Sequence, residues 1–201
     1  MVKIQIKKSV FKISGEKFLE LTDACFLSNG LYKLHGDNGS GKTIFLEYLT
    51  GLRKSDNIKT DLDRSRILYL GETGIGIEDL TIMENIKLVY WIFGIELTSR
   101  TIYKINSLYT EEQLKKIYHQ SSFGMQLMVG LSLLFAETKW DLIILDETLA
   151  GIDQGNKELI LQEIAQRENE SIIFLVAHEY FKTKIEYKEV SIIDRKIQFK
   201  Q

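Results

Sequence analysis

An α/β fold on a mostly parallel sheet, with a phosphate-binding loop at its centre, is predicted by two stretches of this sequence. The first is His35-Gly36-Asp37-Asn38-Gly39-Ser40-Gly41-Lys42-Thr43, which satisfies G-x-x-x-x-G-K-[ST], the P-loop pattern. The second is Leu142-Ile143-Ile144-Leu145-Asp146-Glu147. Its consecutive apolar residues suit a strand buried on both faces, as a parallel sheet requires. Its two carboxylates then fall at the strand's C-terminal end, where open α/β sheets bind ligands.

The neighbours of the P-loop fit its chemistry. Residues 31–34 read as the strand that enters it. Residues 43–50 read as the helix that leaves it, with Ile44, Phe45, Tyr48 and Leu49 on one face. Gly51 follows where a helix end favours a left-handed residue. Glycines let backbone approach phosphate oxygens because no Cβ intervenes, and N–H groups at a helix N-terminus attract the anion. Gly36, Asp37, Asn38, Gly39, Ser40, Gly41, Lys42 and Thr43 are therefore the expected phosphate-binding residues. Lys42 is expected to reach the β- and γ-phosphates, and the Thr43 hydroxyl to help hold Mg²⁺. Asp146 is expected to hold Mg²⁺ through water. Glu147 is expected to orient or deprotonate an attacking water.

Composition narrows the class. A chain of 201 residues suffices for one well-buried α/β core. A formal charge of −2 gives no sign of nucleic-acid binding. The single cysteine, Cys25, excludes an internal disulfide and points to a reducing compartment. No apolar stretch approaches the roughly 20 residues of a membrane helix. The first residues alternate apolar and charged side chains like a half-buried strand rather than a signal peptide.

Further segments, taken in order, resemble the ATP-binding cassette (ABC) ATPase family. Ile67-Leu68-Tyr69-Leu70-Gly71-Glu72 resembles the strand before the Q-loop, and Leu80-Thr81-Ile82-Met83-Glu84-Asn85-Ile86 the helix start that follows it. Ser121-Ser122-Phe123-Gly124-Met125 takes the place of the LSGGQ signature, ahead of an apolar helix over 127–135. Ala150-Gly151-Ile152-Asp153 resembles the D-loop, and residues 171–178 the strand that carries the switch histidine, His178.

The resemblance covers nearly the whole chain and implies a P-loop NTPase core with two additions. An N-terminal antiparallel β-subdomain would cover residues 1–30. The core would take residues 31–72 and 139–201, and a helical subdomain with the signature motif residues 73–138. It implies ATP and Mg²⁺ as ligands, and catalytic roles for Glu147 and His178. Ser122, Gly124 and Met125 would act in trans on the ATP of a second subunit, Asp153 would belong to the D-loop, and Phe11 would stack on adenine, the alternative for Phe11 being a core or sheet-face phenylalanine. The implied function is an ATP-hydrolysing subunit that powers separate membrane permeases through ATP-driven pairing, as homodimer or heterodimer, in the manner of small exporter ATPases. Its expected place is the cytoplasm, attached through the permeases to the inner face of the membrane. A regulatory subunit with little hydrolysis and a soluble non-transport ATPase are the alternatives.

Four positions depart from the family pattern, one of them Met125, which stands where glutamine is common. Glu72 stands where the family has glutamine. An ionised carboxylate there accepts but cannot donate hydrogen bonds, and it is the third expected metal contact beside Thr43 and Asp146. Phe123 enlarges the signature. Thr148 replaces the proline after Glu147, an exchange expected to be mild because that proline stiffens a loop and binds nothing.

Helices are expected over 83–93, 99–106 and 111–119, the last with Thr110 as its cap and an acidic first turn. The apolar run 88–93 suits either the subdomain core or the groove that receives a permease helix in this family. A hairpin is expected over 190–199, turning at Asp194-Arg195-Lys196, and a further reversal at Ser14-Gly15-Glu16.

Overall fold

The computed structural model describes residues 3–13, 15–60, 62–177 and 186–200. The chain divides into two compact units. One comprises Met1–Tyr69, Lys139–Glu147 and Arg167–Gln201; the other comprises Leu70–Thr138 and Thr148–Gln166.

In the first unit, β1 (Lys3–Ile6) buries Ile4 and Ile6 by simple alternation. It pairs antiparallel with β4 (Cys25–Ser28) on one side and β6 (Ile58–Thr60) on the other. β2 (Ser9–Ile13) and β3 (Glu16–Leu21) form an antiparallel hairpin through Gly15, at φ 88°. Ser14, the first residue of the expected reversal, lies outside the described residues.

The main sheet continues with β5 (Gly30–Gly36), β7 (Ile67–Leu70), β8 (Leu142–Asp146), β9 (Ile172–Val176), β10 (Lys188–Ile193) and β11 (Lys196–Phe199). Its order is β2-β3-β11-β10-β5-β9-β8-β7. The pairs β10–β5, β5–β9 and β8–β9 are parallel. β8 and β9 are buried at every position, as their apolar runs require. The β10–β11 hairpin turns through Asp194 (φ 47°) and Arg195 (φ 60°), both left-handed as a tight hairpin demands.

Helix α1 (Lys42–Thr50) follows β5 and buries Phe45, Leu46 and Leu49. Gly51 ends it at φ 76°, donating its N–H to Tyr48 O. Phe45 and Phe174 meet edge to face in the core. Cys25 is half-buried, and burial pushes its thiol up to about 12, so it stays an unreactive apolar group at neutral pH.

The second unit holds α2 (Ile82–Ile92), α3 (Ser99–Ile105), α4 (Glu111–Lys115), α5 (Phe123–Leu131) and most of α6 (Gln154–Arg167). Capping boxes start α2 at Thr81 with Glu84, and α4 at Thr110 with Gln113. The helix expected over 111–119 ends early, at Lys115. Lys116 and Ile117 turn extended, and Ile117 bridges Thr81. Tyr118 N donates to Leu80 O at 2.8 Å and Ile82 N to Lys116 O at 2.9 Å. These long-range bonds outweigh the one further helical turn that the local sequence allows. In the run 88–93, Val89 and Tyr90 are core residues, whereas Trp91 is 78% exposed and Ile92 and Phe93 are also exposed. Among the described residues no helix is long and apolar enough to cross a membrane.

Candidate functional site

The loop after Gly36, the last residue of β5, bends because two glycines adopt positive φ: 75° at Gly39 and 106° at Gly41. At Gly41 the absence of a side chain is also steric. A Cβ there would lie 2.8 Å from Phe18 Cε1 and 2.9 Å from Leu19 Cδ1. Gly41 precedes α1, which begins without a side-chain cap and without an acidic residue in its first turn. Its N-terminal N–H groups therefore keep their positive end for an anion. Ser40 Oγ is buried with no hydrogen-bond partner among the described residues. A cavity of about 540 Å³ opens beside the loop, lined by Gly36, Asn38, Ser40, Ser191 and Arg195 among others. A larger cavity of about 870 Å³, between residues 21–27 and 197–200, contains none of the expected site residues.

The charged residues of the site converge on this loop. Lys42 is buried, and its Nζ donates to Gly36 O at 2.9 Å and Asp37 O at 3.2 Å. The same ammonium lies 3.7 Å from Glu147 Oε1. Thr43 Oγ1 donates to Asp146 Oδ2 at 2.8 Å across 103 residues of sequence. Asp146 is 6% exposed, so its carboxylate needs such donors. Glu147 sits at φ 58°, uncommon for a residue with a side chain, and its N–H donates to Val176 O at 3.2 Å.

A second donor to Asp146 escapes the sequence reading. Tyr69 OH donates to Asp146 Oδ2 at 3.1 Å. Burial first, then the Asp146 charge, pushes the Tyr69 phenol well above its ordinary value, so it remains a donor at neutral pH. The available signal was a lone polar tip within the apolar strand 67–70.

This donor set fits a triphosphate with a hard divalent cation. The loop offers close backbone, a buried hydroxyl without a partner and an enclosed ammonium. Thr43 Oγ1 and Asp146 Oδ2 are the oxygen donors that Mg²⁺ prefers. No cluster of three His, Cys, Asp or Glu side chains suited to a metal occurs among the described residues, so phosphate oxygens would complete the coordination.

The remaining expected residues fall elsewhere. Phe11 is 1% exposed, with its ring 6.1 Å from Phe45 and 4.8 Å from Tyr48. It is a core aromatic with no face open to adenine, which corrects the expected stacking role. His178 lies outside the described residues. Glu72 is exposed on the loop after β7.

Ser122 caps α5, its Oγ accepting from Met125 N at 3.3 Å, and stays exposed. Gly124 lies against the expected D-loop: a Cβ would come within 2.6 Å of Gly151 O. Met125 is 6% exposed and its carbonyl accepts from Tyr109 OH at 2.9 Å. Its side chain belongs to the interior of this unit, which corrects its expected presentation to a second subunit. Asp153 precedes α6 and accepts from Asn156 N at 3.0 Å. That backbone bond is the main reason its carboxyl lies below the usual range. Thr148 is not the mild exchange expected: its buried Oγ1 lies 2.9 Å from Leu70 O and 3.1 Å from Gly71 O.

The model of the ABC transporter family matches residues 23–150. The chain belongs to that family. It carries an ABC transporter ATP-binding domain with the P-loop NTPase fold. Among curated relatives, the ribose import ATP-binding protein RbsA of Lactococcus lactis is 27% identical over 198 residues, 88% of this chain but 40% of that protein. The cytochrome c biogenesis ATP-binding export protein CcmA of Rickettsia typhi is 30% identical over 171 residues, 79% of this chain and 85% of that one. A solved ATP-binding subunit of an ABC transporter superposes with a TM-score of 0.80 at 19% identity, over 96% of this chain and 87% of that chain, a likeness of fold.

Proposed function

We propose that this chain binds and hydrolyses ATP to drive separate membrane permease subunits, in the export direction, by closing head to tail on a second ATPase subunit. The observation that carries the proposal is the cluster of Lys42, Thr43, Asp146 and Glu147, joined at 2.8 Å between Thr43 and Asp146 and at 3.7 Å between Lys42 and Glu147. The export direction follows CcmA, an export protein matched over most of both lengths, rather than RbsA, of which this chain spans 40%. The permeases would hold the chain at the inner face of the membrane.

Each residue would have one task. The amides of residues 36–43 would bind the phosphates, and Lys42 would neutralise and orient them. Thr43 and Asp146 would hold Mg²⁺, which when bound supplies positive charge to the phosphate oxygens. Tyr69 would keep Asp146 aimed. Glu147 would take a proton from water as the water oxygen bonds to the γ-phosphorus, and the bond to the β–γ bridging oxygen would break to give ADP and phosphate. His178 would contact the γ-phosphate. A single chain would leave that phosphate partly in water. Ser122 and Gly124 of a second subunit would exclude the water and add donors.

Turnover and ATP affinity of the purified chain and of Glu147→Gln test this function. The substitution should slow hydrolysis by roughly 10²–10⁴-fold, the range for a positioned base, and leave ATP binding intact. A Glu147→Gln protein that hydrolyses ATP at the parent rate contradicts the assignment.

A further inference from the structure

We infer that Thr148 is a positioning residue that anchors the backbone bearing Glu147 to the root of the loop beginning at Gly71, an assignment that rests on the function proposed above. Thr148 is 2% exposed. Its Oγ1 lies 2.9 Å from Leu70 O, at the end of β7, and 3.1 Å from Gly71 O, the next residue. One hydroxyl proton serves both carbonyls, so the two stay together only while the side chain at 148 can donate.

The same loop is held at its far end. Asn85 is fully buried; its Oδ1 accepts from Ile77 N at 2.7 Å and its Nδ2 donates to Ile77 O at 3.1 Å. Between these ties the loop packs closely on Tyr118. A Cβ at Gly74 would lie 2.4 Å from the Tyr118 hydroxyl, and one at Gly76 2.5 Å from its ring. Glu72 is the exposed carboxylate between the two ties. The loop is therefore clamped at both ends, and one clamp is the residue bonded directly to Glu147.

A proline at this position could not do the same work. It has no donor, and it pushes the residue before it toward extended backbone, whereas Glu147 sits at φ 58°. With threonine here, displacement of the loop root pulls on the peptide that sets the Glu147 carboxylate, and restraint of the root steadies it. Catalytic geometry is sensitive to such shifts while ground-state binding is less so. Loss of the hydroxyl should therefore lower kcat more than it changes KM.

The test compares the parent, Thr148→Val, Thr148→Ala and Thr148→Ser, each below its melting temperature. Valine keeps the shape and removes the donor, alanine is a second donor-free side chain, and serine restores the donor alone. The expected result is kcat lowered about tenfold in the valine and alanine variants, with KM for ATP within twofold of the parent, and serine within twofold of the parent in both. Amide hydrogen exchange over residues 71–77 should quicken in the donor-free variants and stay at the parent rate with serine. Parental kcat in valine and alanine, a lowered melting temperature being their only change, overturns the inference; so does a serine variant as impaired as valine. A parent whose hydrolysis does not depend on Glu147 overturns the proposed function first, and this inference with it.

Discussion

The P-loop cluster and the start of α5 are built in opposite ways. Lys42 and Asp146 are buried, and their hydrogen bonds close within one chain: Lys42 on Gly36 O and Asp37 O, Asp146 on Thr43 and Tyr69. Ser122, by contrast, is exposed, and its hydroxyl caps α5. The first region is pre-organised for a ligand. The second presents a helix start whose proposed task needs another surface. Substitutions in the cluster should thus change ATP binding by single chains, and substitutions at Ser122 should change it only when two chains meet.

The largest single-chain effect should come from Lys42→Ala. It removes the buried ammonium expected to meet the phosphates, so ATP affinity by titration calorimetry should fall about 100-fold or more, roughly 2.7 kcal/mol. A loss seen only in dimerisation, with single-chain affinity unchanged, would break the contrast between the regions. A smaller effect is expected from Tyr69→Phe, which leaves Asp146 with one donor fewer. Denaturant unfolding should show a loss of about 1 kcal/mol. The sign of its pH dependence is fixed. Because the folded pKa of Tyr69 is raised, its contribution is fully present below the unfolded value near 10 and is lost as pH rises above it. The phenylalanine variant should therefore lose less stability than the parent above about pH 10. Equal slopes for the two proteins would mean that the phenol titrates alike folded and unfolded.

Much of the first region was legible because its signals are local. The spacing of residues 36–43 places β5, loop and α1. Gly51 sits at the helix end with φ 76°, and the apolar run 142–145 gives a strand buried at every position. What was illegible depends on contacts far apart in sequence. Tyr69 meets Asp146 across 77 residues, and Thr148 meets Leu70 across 78. Periodicity within a strand or turn cannot announce either partner. The family resemblance placed Phe11 in the subdomain beside adenine, yet α1 covers its ring through Phe45 and Tyr48. The helix expected to reach residue 119 stopped at Lys115 for the same kind of reason, a pairing with Leu80 and Ile82.

In the proposed function, ATP closes two chains head to tail through Ser122. Gly124 is a poor probe of it, because any side chain there meets Gly151 O within the same chain. Ser122→Asp is a cleaner one: aspartate still caps a helix but adds a negative charge where a second chain's γ-phosphate would sit. The deciding measurement is sedimentation velocity of Glu147→Gln, alone and combined with Ser122→Asp, with and without ATP and Mg²⁺. The single variant should form ATP-dependent dimers, and the double variant should stay monomeric while binding ATP with affinity within about threefold, the scale of an exposed charge change. ATP-saturated Glu147→Gln that remains monomeric, or dimers that persist in the double variant, would contradict the proposed closure.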